Sequence, residues 1–172
     1  VWSNELTFLQ DCVAKSPNKA RPHNNLGLVL LKNGDVEEAI VQFFRSLELE
    51  PDKYMIYYNM GNALSQNKRF EEAIYYYKQA LELADGKDDS KLFYMGIGNI
   101  YEKQGNPSDA IEQFRQALVI DPDFDRAHNY LGKILAQQGM YDEAIYHLFE
   151  AVRLNPDYYQ AYNNIANTLI QL

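Results

Sequence analysis

ARPHNNLGLVLLKNGDVEEAIVQFFRSLELEPDK, residues 20–53, returns down the chain at a fixed interval, and that recurrence decides the architecture. Gly27, Gly61, Gly98 and Gly132 mark successive copies, separated by 34, 37 and 34 residues. Twelve residues after each glycine stands an alanine: Ala39, Ala73, Ala110 and Ala144. Seven further on come Ser46, Ala80, Ala117 and Ala151, with Phe43, Tyr77, Phe114 and Leu148 in between. Pro51, Pro122 and Pro156 close three of the four copies. Within a copy, Leu26, Leu30, Ile40, Phe43 and Leu47 fall at the spacings of three, four and seven that one face of a helix requires.

Each copy therefore predicts two short amphipathic helices. The glycine at position 8 and the alanine at position 20 lack bulk, so the helices can cross closely there, and the large residue at position 24 fills the space beside them. Gly34, Gly105 and Gly139 stand where the first helix must turn, a place that favours a left-handed backbone. The second copy has Lys68 there, so Asn67 or Lys68 is expected to carry the strained dihedral, Asn being the better tolerated.

This pattern resembles the tetratricopeptide repeat (TPR), a helix–turn–helix unit. The resemblance implies an all-α fold, a right-handed α-solenoid of antiparallel helix pairs. The expected organisation is 20–53, 54–90 with three inserted residues, 91–124 and 125–158 as full repeats. First helices are expected near 21–33, 54–67, 90–104 and 125–138, and second helices near 36–50, 70–84, 107–120 and 142–154. Pro22 and Pro107 suit helix starts, and Asn106 can cap the helix that Pro107 opens. In the insertion, Gly86 is expected to stop one helix and Asp88, Asp89 or Ser90 to cap the next.

Residues 1–17 fit the same period as a lone second helix, with Trp2 in the place of Val36, Leu6 of Ile40, Leu9 of Phe43, Cys12 of Ala80 and Pro17 of Pro51. Glu5 departs, standing where Ala39 and Ala73 stand. Residues 159–172 repeat the first-helix pattern through Ile165, Ala166 and Leu169. Two half-repeats are thus expected to flank four full ones, as if cut from a longer array. Their open apolar faces are complementary, so head-to-tail self-association is expected.

Composition narrows the function classes. The 172 residues are 47% hydrophobic and 13% aromatic, with 14 Tyr, too much apolar material for a disordered chain. A net charge of −8 argues against a nucleic-acid partner and mildly favours a basic one. No apolar run reaches the roughly 20 residues of a membrane span, so the piece reads as soluble, without direct membrane insertion, and its compartment is left undetermined. Cys12 is the lone cysteine and fills a small-residue position. No phosphate loop, nucleophile elbow or paired carboxylates appear, so neither catalysis nor a cofactor is expected. The acidic loop at 85–90 lacks the spacing of a calcium loop. His23 and His128 occupy position 4, where Tyr57, Tyr94 and Tyr162 also stand, which makes them packing residues. His147 has only Glu143 at a ligand spacing, so no metal site is expected.

One feature exceeds packing. Positions 2, 5, 6, 9, 12 and 13 of each first helix form a stripe opposite the packing face. That stripe carries Asn24, Asn129 and Asn163 at position 5, Asn25, Asn59 and Asn164 at position 6, and Asn62, Asn99 and Asn167 at position 9, with Lys133 beside them. Asn is a poor helix former, so repeated use in mid-helix points to a function. Its carboxamide has donors and an acceptor that match the N–H and C=O of an extended peptide. The position-6 residues Asn25, Asn59 and Asn164 resemble the asparagine ladder of TPR domains in nucleocytoplasmic sugar transferases and cargo receptors, interrupted here by Gly96 and Tyr130. The resemblance implies a protein-interaction scaffold holding a peptide in a concave groove. Asn59 and Asn62 also fit fragments of the carboxylate clamp of other TPR domains, but its lysine and arginine do not appear in order. The stretch Trp2 to Gly27 is loosely similar to the entry of TPR arrays that end membrane-bound sugar transferases, which would make this an accessory, extracytoplasmic domain.

Overall fold

The structure is a computed structural model that describes residues 2–171, with side chains from Glu5 onward. The role given to Trp2 lies outside the described side chains. Every regular element among the described residues is an α-helix, and the chain divides into two compact units, residues 1–85 and 86–172.

The first unit holds α1 (Trp2–Lys15), α2 (Ala20–Asn33), α3 (Val36–Leu49), α4 (Tyr54–Gln66) and α5 (Phe70–Ala84). Here α2 pairs with α3 and α4 with α5, while α1 rests on α2 and α3 on α4. The second unit holds α6 (Ser90–Lys103), α7 (Pro107–Ile120), α8 (Asp125–Gln137), α9 (Tyr141–Leu154) and α10 (Tyr159–Ile170). Here α6 pairs with α7 and α8 with α9, α7 packs on α8, and α10 lies against both α9 and α8. The eight helices of the full repeats begin and end within two residues of their expected bounds.

The pairs lock at the small residues, as the spacing requires. A Cβ on Gly27 would stand 2.7 Å from the Phe43 ring, on Gly61 2.7 Å from Tyr77, on Gly98 2.6 Å from Phe114 and on Gly132 2.7 Å from Leu148. Ala39, Ala73, Ala110 and Ala144 are fully buried opposite them. Ser46, which stands where the other repeats have alanine, satisfies its hydroxyl by donating to the Ala20 carbonyl at 2.9 Å.

Of the two candidates at the second turn, Lys68 takes the left-handed conformation, at φ 61°, and Asn67 stays at φ −79°. The closing hydrogen bonds explain the choice. Arg69 N–H reaches the Leu64 carbonyl at 2.9 Å just as Asp35 N–H reaches Leu30 at 2.9 Å, so the register puts the positive φ at residue 68, Asn or not. Because a non-glycine residue in that conformation costs about 1–2 kcal/mol, Lys68→Gly is expected to stabilise the first unit by about 1 kcal/mol. A denaturant midpoint equal to the parent's would refute this.

The insertion differs in detail from the expectation. α5 ends at Ala84 with Asp85 already left-handed at φ 49°, and Gly86 at φ 74° follows it, so the stop takes two residues and not Gly86 alone. Asp89 and Asn106 stand at the N-cap positions of α6 and α7, but neither makes a side-chain capping bond.

In three of the repeats position 4 does more than fill space. Its side chain reaches back to the carbonyl of the proline that closes the preceding loop: His23 Nε2 to Pro17 at 3.0 Å, Tyr57 hydroxyl to Pro51 at 3.0 Å, His128 Nε2 to Pro122 at 2.9 Å. The same side chain meets position 23 of the partner helix. His23 Nδ1 lies 2.8 Å from the Gln42 carboxamide, the Tyr57 and Tyr76 rings are 6.1 Å apart, and His128 Nδ1 lies 2.9 Å from His147 Nδ1. Burial, and then His128 beside it, push the His147 imidazole down to about 4, so it is neutral at pH 7.

Candidate functional site

The asparagines fall into two groups once the first helices stand side by side. In the first unit, Asn59 Nδ2 on α4 donates to Asn24 Oδ1 on α2 at 2.9 Å, and Asn59 is only 8% exposed. In the second unit, Asn164 Nδ2 on α10 donates to Asn129 Oδ1 on α8 at 2.8 Å. Asn129, 5% exposed, in turn donates to the Tyr158 hydroxyl at 3.2 Å. Position 5 of one repeat thus faces position 6 of the next, 35 residues on, across the seam between neighbouring first helices. Asn62 belongs to this structural set as well, because its Oδ1 accepts the Tyr77 hydroxyl at 2.7 Å.

The remaining stripe residues keep polar groups available. Asn163 and Asn167 are exposed on α10, Asn25 is half-buried on α2, and none of the three makes a side-chain hydrogen bond among the described residues. Asn99 on α6 is half-buried, and its carboxamide oxygen has no hydrogen-bond partner. An unsatisfied buried acceptor costs about 1–3 kcal/mol, so this side chain gains by turning toward a donor.

The second unit gives these residues a shaped surface. Lys133 on α8 pairs with Glu102 on α6, and its ammonium stands 5.9 Å from the centre of the Tyr130 ring. Tyr130 in turn leans on Phe114, ring centres 5.6 Å apart. On one side of Lys133 lies a cavity of about 380 Å³ bounded by Asn99, Glu102 and Tyr130. On the other lies one of about 560 Å³ bounded by Gln137, Asn164, Asn167 and Gln171. Glu102, Gln137 and Gln171 were not singled out from the sequence, although they hold positions 12 and 13 of the stripe. Tyr130, read there as an interruption of the ladder, forms part of the wall.

In the first unit a cavity of about 550 Å³ opens between α1 and α2, floored by Phe8, Leu9, Cys12 and Pro22, with Asn25 at its edge. Among the described residues no group of three or more His, Cys, Asp or Glu side chains converges, and no helix is long and apolar enough to cross a membrane.

Family models described as tetratricopeptide repeat match residues 20–53, 52–123 and 95–159. No curated protein sequence matches the chain. Among solved structures, YrrB, described as a TPR protein with an unusual peptide-binding site, is 22% identical, with a TM-score of 0.70 over 95% of this chain and 82% of that one. MamA from Desulfovibrio magneticus RS-1, residues 41 to the end, is 22% identical, with a TM-score of 0.77 over 91% and 87%. TTC0263 of Thermus thermophilus, a thermophilic TPR protein, is 19% identical, with a TM-score of 0.78 over 98% and 91%. Matched across residues 20–159 by these models and built from helix pairs that lock glycine against a large side chain, the chain belongs to the tetratricopeptide repeat family of protein-interaction scaffolds.

Proposed function

We propose that the chain binds an extended segment of a partner protein along the asparagine stripe, and that the stripe of the second unit is where the backbone of that segment lies. The observation that carries this reading is the pair of adjoining cavities sharing Lys133 and walled by Asn99, Asn164 and Asn167. Carboxamides offer an N–H donor and a C=O acceptor at once, which suits a peptide main chain whatever its side chains. The Tyr130 face adds a platform for an apolar or cationic side chain. Glu102 pairs with Lys133 and leaves Lys103 as the remaining charge among the residues lining the two cavities, so recognition rests on shape and main-chain hydrogen bonds with a mild preference for an acidic side chain beside Lys103.

The four seam asparagines, Asn24, Asn59, Asn129 and Asn164, hold neighbouring first helices in register, and the free ones, Asn99, Asn163 and Asn167, read the ligand. The test follows from that division. A peptide selected from a random display library against the parent chain is titrated into Asn99→Ala/Asn167→Ala. With about 1 kcal/mol lost per hydrogen bond, affinity is expected to fall about thirtyfold while the melting temperature stays near the parent's. Unchanged affinity for a peptide that competes at Lys133 would overturn the reading.

A further inference from the structure

α1 has the register of a second helix and α10 that of a first helix, and each leaves part of its pairing side open. On α10, Tyr162, Ala166 and Ile170 are exposed, Ile170 by 82%. On the first unit, Phe8 of α1 is 63% exposed and Leu28 of α2 41%, and the cavity of about 550 Å³ between these helices is floored by Phe8 and Leu9. Asn25, at the edge of that cavity, holds position 6. On α4 and α10 this position donates to position 5 of the preceding first helix, whereas the Asn25 carboxamide makes no such bond among the described residues.

We propose that this cavity is the seat for α10 of a second copy, so that α10 of one molecule and α1 of the next form a composite repeat. Contacts inside the chain set its register. Position 5 meets position 6 of the next repeat, 35 residues on, in Asn24–Asn59 and Asn129–Asn164, which places Asn163 of the incoming α10 against Asn25. Position 4 meets position 23 of its own repeat, with the Tyr57 and Tyr76 rings 6.1 Å apart, which places Tyr162 against Phe8. Position 12 meets position 9 of the next repeat in Glu102–Lys133, which places Ile170 against Leu28, an apolar pair in place of an ionic one. Carried to the loop before α10, the first of these offsets sets Asp157 beside Lys19, opposite charges that are both exposed and without an ionic partner among the described residues. Carboxamide thus meets carboxamide, ring meets ring, aliphatic meets aliphatic and acid meets base, all with groups that a single molecule leaves open.

The composite crossing is looser than those within the chain. Ala166 stands at position 8, where the full repeats have glycine, and Glu5 at position 20, where Ala39, Ala73, Ala110 and Ala144 are fully buried. Covering the Glu5 carboxylate without a partner costs free energy, so the association is reversible and follows concentration. The two surfaces differ, so a copy that gives its α10 keeps its own seat open, and the contact propagates beyond a dimer. Docking turns Asn163 into a seam residue and leaves Asn99 and Asn167, the pair altered in the peptide titration, on the groove.

Sedimentation equilibrium of the parent is expected to show a mass that rises with concentration past that of a dimer. Two double variants at exposed positions separate the two surfaces: Phe8→Lys/Leu28→Lys spoils the seat, and Tyr162→Lys/Ile170→Lys spoils the incoming helix. Each alone is expected to be monomeric with the parent's helicity by circular dichroism. Mixed in equal amounts, they are expected to form a one-to-one dimer and nothing larger, because each keeps the surface that the other has lost. Glu5→Ala is expected to tighten the parent's association about tenfold, by removing a carboxylate from the crossing. A parent that stays monomeric at millimolar concentration, folded variants that associate as the parent does, or a mixture that stays monomeric would overturn the proposal and leave the seat to a helix of another protein.

Discussion

Gly61→Leu is expected to destabilise the first unit by about 3 kcal/mol or more, the upper end of what overpacking a close helix crossing costs. Even a single added methyl would stand 2.7 Å from Tyr77 Cε1 and 2.8 Å from Cδ1. The ring has nowhere to go. Tyr77 is 2% exposed, its hydroxyl is held by Asn62 Oδ1 at 2.7 Å, and the Tyr58 ring lies 5.9 Å away. Relief must come from separating α4 from α5, which strips the core around Ala73 and Ala80, both fully buried. Gly61→Ala should show the same direction with a smaller loss. Chemical denaturation would measure both, and a Gly61→Leu midpoint equal to the parent's would refute the close crossing.

Phe114→Ala is expected to cost about 3–5 kcal/mol, as full truncation of a buried aromatic does. Phe114 is fully buried, its ring touches the space above Gly98, and it supports Tyr130 on the neighbouring helix α8. One side chain therefore joins α6 to α7 and α7 to α8. In a repeat array, where each unit is stabilised by its neighbours, losing both contacts should loosen α6 and α7 before the rest. Hydrogen exchange would show protection falling first in α6 and α7, with peptide affinity falling too because Tyr130 loses its support. A loss below about 1 kcal/mol with uniform exchange would contradict this.

Some local choices were legible in the sequence and others were not, and the difference is physical. The left-handed turn residue in the second repeat could be narrowed to two because the period marks the turn. The hydrogen bond from Arg69 back to Leu64 then forces Lys68, although Asn is the better-tolerated residue there. Asp85 was missed as a left-handed residue because the inserted loop breaks the period, so no neighbouring repeat supplied its register. Glu102 and Gln137 could have been found by carrying the stripe to positions 12 and 13 residue by residue.

The sequence by itself determined the helices, their order and their crossings. Helix faces follow from a spacing of about 3.6 residues per turn, and glycine and alanine at fixed intervals leave one way for two such helices to meet. Only the tertiary structure decided which asparagines are seams and which are open, because Asn24 and Asn59, or Asn129 and Asn164, meet across 35 residues, and identical side chains at identical positions look alike in one dimension. It also decided that His147, which has no metal-ligand spacing along its own helix beyond Glu143, faces His128 from 19 residues away. Spacing along one helix governs neighbours on its own surface; contacts between helices depend on how the surfaces are rotated against each other, and packing sets that rotation.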